Sequence, residues 1–178
     1  LGIQTLENSL RNLTYLQTLV LNIVSLRISD SGLVGISDGM ANLTPLYHLD
    51  LGIHSSSSIT NLGFDQFCKG LSRLTYLRSL QLSLKGDRRW SNEEFSSLGR
   101  TLKGLPSLEL FKLLIEGKGS GFTDKGLIEL SKGLRKLHSL RKIELRLSDG
   151  VIGDYGLRSL GKELKRLPLL NFIILDLF

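Results

Sequence analysis

One apolar pattern recurs six times along this 178-residue chain, and it constrains the fold more than any other feature. The pattern is L-x-x-L-x-x-L-x-L, in which Phe or Ile replaces the third Leu of the last three copies. Successive copies begin 30, 31, 31, 32 and 30 residues apart, at Leu13, Leu43, Leu74, Leu105, Leu137 and Leu167. Similarity at one fixed period is typical of a solenoid, in which each repeat packs mainly against its neighbours.

Within each repeat the hydrophobic period changes from that of a helix to that of a strand. Before each copy of the pattern, apolar residues fall at i, i+3, i+7 and i+10, as in residues 64–74. This spacing predicts one apolar stripe along a helix of about three turns. The period then becomes two, as in residues 80–84, which is typical of a short strand. We therefore predict an α/β fold: a single solenoid over residues 1–178, with about six repeats, parallel strands on the concave face and helices on the convex face.

The loop before each helix carries a second recurring motif, such as Ile-Ser-Asp-Ser-Gly at residues 28–32 and Phe-Thr-Asp-Lys-Gly at residues 122–126. Together with the repeat, this motif resembles the ribonuclease-inhibitor-like branch of the leucine-rich repeat family, whose repeats each contain a helix. The resemblance covers essentially the whole chain and implies a non-catalytic scaffold for protein–protein interaction. The chain departs from the family where an Asn or Cys usually follows the strand; its residues there are Val24, His54, Lys85, Glu116 and Ser148.

Two columns of the repeat predict local contacts. One column places an Asp or Asn at the start of each helix after the first, and we predict that these side chains are N-caps: Asp30, Asn61, Asn92, Asp124 and Asp154. The other column holds a small residue in five repeats, which predicts close contact between neighbouring helices. These residues are Ser37, Cys68, Gly99, Ser131 and Gly161. On this interpretation Cys68 is a packing residue and not a reactive thiol.

The residues form no arrangement typical of catalysis, cofactor binding or metal ligation, and we expect none of these functions. His48 and His54 lie six residues apart on one strand, about 20 Å, which is too far to ligate one metal ion. The glycine-rich residues 116–121 do not match the phosphate-binding P-loop pattern. A single cysteine excludes an internal disulfide framework and favours an intracellular, reducing compartment. No apolar stretch reaches the roughly 18 residues that span a membrane.

We predict that a protein partner binds the concave face, through the strand residues that alternate with the inward Leu and Ile residues. Two apolar groups lie on strands four and six, and strand five between them supplies charges of both signs that orient a ligand. The predicted site consists of Leu110, Lys112, Leu114, Lys142, Glu144, Arg146, Phe172 and Ile174. For Phe172 and Ile174 an alternative stays open, in which the two side chains await a capping repeat.

The distribution of charge gives an alternative function. The net charge is +6, but residues 1–60 carry −2 and residues 61–178 carry +8. Basic residues close the helices of repeats three to six, where cations stabilise the helix dipole; they are Lys69, Arg73, Arg100, Lys103, Lys132, Arg135, Lys136, Lys162, Lys165 and Arg166. We call them the basic ridge. It could contact RNA or an acidic neighbour if the chain is a structural subunit of a large assembly, although no aromatic residues interleave with it to stack bases.

Both ends of the chain are in repeat register. Residues 1–3 already follow the helical stripe, and residues 171–178 read as an unfinished strand. Because terminal repeats of a solenoid need a polar outer face, we expect further repeats, another domain or another subunit to cover both ends. A third possibility is therefore that these repeats are the sensor region of a longer chain with a separate catalytic domain.

Overall fold

The computed structural model describes residues 2–24, 28–55, 58–86, 89–117, 121–148 and 150–177. Within these ranges, six helices alternate with six strands. The helices are α1 (Gly2–Asn12), α2 (Asp30–Met40), α3 (Asn61–Leu71), α4 (Asn92–Lys103), α5 (Asp124–Leu134) and α6 (Asp154–Leu164). The strands are β1 (Thr18–Val24), β2 (His48–Ser55), β3 (Ser79–Gly86), β4 (Leu110–Gly117), β5 (Lys142–Leu147) and β6 (Phe172–Leu177).

The strands form one parallel sheet in chain order, β1-β2-β3-β4-β5-β6. Equivalent positions of successive repeats are paired, so that Leu110 lies opposite Ser79 on one side and Lys142 on the other. This confirms the predicted α/β solenoid and the alternation of inward and outward residues along the strands. One face of the sheet packs against the helices, and the other carries the residues predicted to be concave.

The core is a continuous layer of apolar side chains between the helices and the sheet. Inward strand residues such as Leu80, Leu113 and Leu145 are completely buried. Aromatic side chains complete this layer in the middle of the solenoid, where the Phe95 and Phe122 rings lie 4.5 Å apart between centroids. The repeated Leu pattern therefore builds one core shared by all repeats, as nearest-neighbour stacking requires.

The prediction that Asp or Asn caps its own helix is wrong by one residue. The N-caps of α2 to α6 are the residues just before, which are Ser29, Thr60, Ser91, Thr123 and Gly153. Thr60 and Thr123 accept hydrogen bonds from their own helices, and Ser91 forms a capping box with Glu94.

Three of the predicted cap residues, Asp30, Asn92 and Asp124, instead accept hydrogen bonds from the next repeat. The Asp30 carboxylate accepts hydrogen bonds from the backbone N–H and the hydroxyl of Thr60, both at 2.6 Å. Asn92 and Asp124 bind the starts of α5 and α6 in the same way. Because the repeats stack in register, the first residue of one helix lies beside the free N–H groups of the next helix. We call this set of contacts the Asp/Asn ladder.

The predicted close contacts between helices are confirmed in the interior of the stack. A Cβ atom added to Gly70 would collide with the Ser37 hydroxyl, and one added to Gly133 would collide with the backbone of Gly99. The Thr101 hydroxyl donates a hydrogen bond to the carbonyl of Cys68 at 3.1 Å. Cys68 is buried in this contact, and burial raises the pKa of its thiol to about 12.

Candidate functional site

The strand register brings the eight predicted binding residues together on β4, β5 and β6. They lie in three rows across the strands: Leu110, Lys142 and Phe172; Lys112, Glu144 and Ile174; and Leu114 with Arg146. All eight are partly or largely exposed, whereas the residues between them on β4 and β5 are buried. We call these eight residues the concave patch.

Three of the four charged residues of the concave patch, Lys112, Glu144 and Arg146, are paired with one another. The Glu144 carboxylate accepts a hydrogen bond from Arg146 Nε at 2.7 Å, and Lys112 Nζ lies 3.4 Å from the same oxygen atom. Arg146 also lies 3.9 Å from Asp176 on β6, a residue that the sequence analysis did not include in the site. Each exposed pair contributes no more than about 1 kcal/mol to stability, but together the pairs hold the charged groups in fixed positions between the apolar side chains.

A shallow depression of about 100 Å³ lies within the patch. Its lining comprises Gln81, Leu110, Phe111, Lys112, Lys142, Ile143, Glu144 and Phe172. The Lys142 ammonium lies 5.8 Å from the centroid of the Phe172 ring, within cation–π range. Pockets for small molecules have volumes of about 300–1,000 Å³, so this depression suits a single protruding side chain of a protein partner.

A second surface with binding potential escaped the sequence analysis. A groove of about 630 Å³ lies at the turns that lead into β2 and β3, and its lining comprises Thr44, Pro45, Tyr47, Tyr76 and Arg78. Tyr76 is 68% exposed, and the equivalent Tyr15 of the first repeat is 91% exposed. The recurrence of Thr-Tyr-Leu at residues 14–16 and 75–77 was the available signal. Tyr and Arg are enriched in the cores of protein interfaces.

The basic ridge is exposed along the ends of α3 to α6. Part of it is neutralised, because Lys132 pairs with Glu129 at 2.6 Å and Arg166 pairs with Glu163 at 2.9 Å. Within the described ranges of the chain, six of its residues form no ion pair: Arg73, Lys103, Arg135, Lys136, Lys162 and Lys165. The ridge therefore keeps a positive surface, but a weaker one than its sequence predicts.

Two further residues of the ridge are bound to Asp65, between α3 and α4. Lys69 lies 3.0 Å and Arg100 2.6 Å from the carboxylate, and the Ser97 hydroxyl donates a hydrogen bond to it at 2.7 Å. Burial acts to raise the pKa of Asp65, but the hydrogen bonds from Ser97, Lys69 and Arg100 outweigh burial and lower this pKa to about 2. This cluster joins two helices, so the contact with Asp65 accounts for Lys69 and Arg100 without any role in binding.

Comparisons with known proteins support the fold. No family model matches the sequence, and no curated protein matches it. The tropomodulin C-terminal domain from Caenorhabditis elegans is similar over 93% of this chain and 93% of that domain, with a TM-score of 0.61 and 17% sequence identity. Actin-binding site 2 of leiomodin-1 is similar over 92% of this chain and 86% of that one, with a TM-score of 0.58 and 13% identity. The chain is an α/β solenoid of the leucine-rich-repeat type.

The remaining sequence features concern metal binding, the glycine-rich stretch and membrane spans. Among the described residues, no group of three or more His, Cys, Asp or Glu side chains could hold a metal ion. Residues 118–120 of the glycine-rich stretch, and Phe178 at the end of the predicted concave face, lie outside the described residues. In the part of the chain that the structure describes, the helices are too short and too polar to cross a bilayer.

Proposed function

We propose that this solenoid is a non-enzymatic module for protein–protein interaction, of the ribonuclease-inhibitor-like branch, and that it binds its partner through the concave patch. The partial exposure of Leu110 and Leu114 on β4, on the face of the sheet that the helices do not cover, carries this proposal. β4 pairs with a strand on each side, so the end of the solenoid does not account for the exposure of its side chains. Interface cores favour apolar anchors, and their rims are polar.

The ion pairs beside these two leucines supply such a rim. Glu144 is held between Lys112 and Arg146, so a partner meets preorganised charges and loses little side-chain entropy in ordering them. Phe172 extends the apolar area across Lys142 to the end of the sheet. The patch thus suits a partner with one apolar side chain for the depression and charged groups of both signs around it.

The comparisons support a protein partner, since the leiomodin-1 structure is an actin-binding site by name. Purified actin is therefore the first defined probe for this chain. We also propose an intracellular location, supported by a single cysteine that is buried and forms no disulfide.

Site-specific photo-crosslinking tests the binding face. A photo-reactive residue at position 112 reports contact with the concave patch, and the same residue at position 135, at the exposed end of α5, is the matched control. We expect actin, or one protein from the source cells, to crosslink from position 112 and not from position 135. Crosslinks from position 135 alone would assign binding to the basic ridge, and crosslinks from neither position would contradict the proposal.

The double variant Leu110→Ser with Leu114→Ser completes this test. Both side chains lie on the open face of the sheet, so we expect an unchanged melting temperature and the loss of the crosslink from position 112. An unchanged crosslink would remove the two leucines from the site. A lowered melting temperature with lost binding would show instead that they act through the stability of the fold.

The alternative is a structural subunit whose basic ridge contacts RNA or an acidic neighbour. The six ridge residues without an ion pair among the described residues favour it. A salt titration separates the two functions, because contacts with phosphate groups weaken steeply as salt concentration rises, whereas apolar contacts on the concave patch change little.

A further inference from the structure

The groove at the turns into β2 and β3 takes no part in binding through the concave patch. Two positions of repeats two and three line it: Pro45 and Tyr76 occupy one position, and Tyr47 and Arg78 occupy the other. Its volume of about 630 Å³ far exceeds the 100 Å³ of the depression in the concave patch. Pockets for whole ligands have volumes of about 300–1,000 Å³, so the groove suits a segment of chain and not a single side chain. We call it the turn groove.

The aromatic rings of the turn groove are exposed inside the stack and not at an end of the chain. Tyr47 is 44% exposed and Tyr76 is 68% exposed. The leucines beside them, Leu46 and Leu77, are completely buried and fix the two turns on the core. Repeats one and four lie on either side, so the ends of the solenoid do not account for this exposure. Tyrosine offers a large, rigid contact area at a low cost in conformational entropy.

The main chain of the turn groove is already hydrogen-bonded. The carbonyl oxygen of Tyr47 accepts the N–H groups of Arg78 and Ser79 at 2.8 and 2.9 Å. In the same way, the carbonyl oxygen of Arg78 accepts the N–H groups of Glu109 and Leu110. The N–H of Tyr47 is bonded to a carbonyl oxygen of the first repeat. A partner therefore cannot bind here by adding a β-strand, which needs unpaired main-chain groups.

The side chains of the turn groove offer hydrogen-bond donors. Among the described residues, the hydroxyl groups of Thr44, Tyr47 and Tyr76 have no hydrogen-bond partner. Arg78 contacts Glu109 at 3.4 Å, and its guanidinium group keeps further N–H donors. The groove thus combines aromatic rings with donors, and it favours a ligand that has apolar surface and free carbonyl oxygens.

A proline-rich segment has this chemistry. A chain in the polyproline II conformation forms no internal hydrogen bonds, so its carbonyl oxygens are free, and proline has no N–H that needs an acceptor. An α-helix, in contrast, uses its carbonyl oxygens internally. We propose that the turn groove binds a proline-rich segment of a partner protein, with its rings against Tyr47 and Tyr76 and its carbonyl oxygens accepting from their hydroxyls. Such segments dock in aromatic-lined grooves because their conformation is preformed.

Charge specifies one further feature of the segment. Arg78 borders the turn groove, and Arg73 lies in the turn that carries Tyr76. Both arginines are exposed, and only Arg78 has an ion-pair partner among the described residues, which is Glu109. This side of the groove therefore keeps a net positive charge. An acidic residue at the end of the proline run complements it.

Fluorescence anisotropy with labelled peptides tests this proposal, which does not depend on the concave patch. The probe is a peptide of about ten residues, a run of prolines with one Asp at each end. One control peptide carries Gly and Ser in place of the prolines, and another carries Ala, the best helix former. We expect the chain to bind the proline peptide at least about tenfold more tightly than either control. Equal affinities, or tighter binding of a control peptide, overturn the proposal.

Single variants locate the binding site. Tyr47→Ala and Tyr76→Ala each remove an exposed ring, and we expect each to weaken binding of the proline peptide at least about tenfold at an unchanged melting temperature. Tyr155→Ala removes a comparably exposed tyrosine from α6 and should bind like the wild type. Arg78→Gln should lose the preference for the acidic probe over a plain proline peptide. Wild-type affinity in both groove variants, or an equal loss in Tyr155→Ala, overturns the proposal.

Two further variants separate the turn groove from effects on folding and from the concave patch. Tyr76→Phe keeps the ring and removes only the hydroxyl, so it should fold like the wild type and bind about two- to tenfold more weakly. Wild-type affinity in Tyr76→Phe contradicts the hydrogen bonds that select a proline-rich segment. The double variant Leu110→Ser with Leu114→Ser should bind the proline peptide normally, even where it loses the crosslink from position 112. Loss of peptide binding in this double variant would move the site to the concave patch and overturn the proposal.

Discussion

Repeats five and six carry the same or similar apolar residues at their inward positions, but they bury them to different extents. Leu127 and Leu145 of repeat five are completely buried, whereas Leu157 and Leu175 of repeat six are about half exposed. The direction of each side chain follows from the position in the repeat, because both strands have the same register. Burial, however, is supplied by the next repeat. Stability therefore resides largely in the junctions between repeats, and the ends hold less of it than the interior.

Truncation of an inward leucine should show this difference most strongly. Leu145→Ala removes a completely buried side chain, and we expect it to lower the free energy of unfolding by about 2–5 kcal/mol. Leu175→Ala at the matching position should cost only about 1 kcal/mol, because that side chain is already partly in water. Urea denaturation of dilute protein, followed by the fluorescence of the single, buried Trp90, measures both values.

Outward neighbours provide the control for the register. Gln81 lies on the open face beside buried Leu80, and Gln81→Ala should change stability by no more than about 0.5 kcal/mol. Equal losses at Leu145 and Leu175 would mean that the end of the solenoid is covered in solution.

The effect of a Gly→Ala substitution on the free energy of unfolding should have opposite signs in an interior helix and in α6. Gly133→Ala places a methyl group against the backbone of Gly99, and we expect a loss of about 1–3 kcal/mol. Gly161→Ala places it in open space within a helix, where Ala is better than Gly by about 0.5–1 kcal/mol. Thermal unfolding of dilute samples compares the two variants. A loss in both would contradict the open space around Gly161.

The periodicity of the sequence was sufficient to predict the fold, since the stripes at i, i+3, i+7 and i+10 and the alternation in residues 80–84 set both element type and strand register. The small-residue column could also be predicted, because it repeats at one helical position. The N-caps could not, since Asp, Asn, Ser and Thr all accept hydrogen bonds at helix starts. Only the stacking distance shows that Asp30 reaches Thr60 of the next repeat and not its own helix.

The sequence predicted which face of the sheet carries the eight candidate residues, but not how their charged groups pair. Alternation along β4 to β6 placed the eight residues on one face, and the register then followed. The pairing of Glu144 with Lys112 and Arg146 depends on side-chain conformations that the pattern does not fix. The groove lined by Tyr47, Tyr76 and Arg78 was missed because its residues lie in turns, where no apolar period marks them.

The Asp/Asn ladder should distinguish the same two regions by a smaller effect. Asp124→Ala removes the acceptor for the N–H of Gly153, which should cost about 1 kcal/mol, comparable to the loss of a helix cap. Asp154 occupies the same position at the start of its own helix, but none of the described residues donates a hydrogen bond to it from a following repeat. We therefore expect Asp154→Ala to lower the free energy of unfolding by only a few tenths of a kcal/mol. Urea denaturation of both variants at low concentration measures this difference. Equal costs would assign the effect to the helix dipole and not to the ladder.

The smallest effect concerns Asp65, which joins α3 to α4. The equivalent residue on α6 is Arg158, and the described residues include no helix after α6. The folded-state pKa of Asp65, about 2, is lower than its usual value of 3.8. Its carboxylate therefore contributes stability that is fully present above the usual pKa and is lost as pH falls toward the folded-state pKa. The Asp65 side chain is 23% exposed, so solvent screening limits this contribution to about 1 kcal/mol or less.

Asp65→Asn should lower the free energy of unfolding at neutral pH and reduce the loss of stability between about pH 4 and about pH 2. Arg100→Gln should weaken the same dependence while keeping the carboxylate. Urea denaturation across this pH range tests both variants, and an Asp65→Asn profile parallel to that of the wild type would show that this junction is held by apolar packing alone.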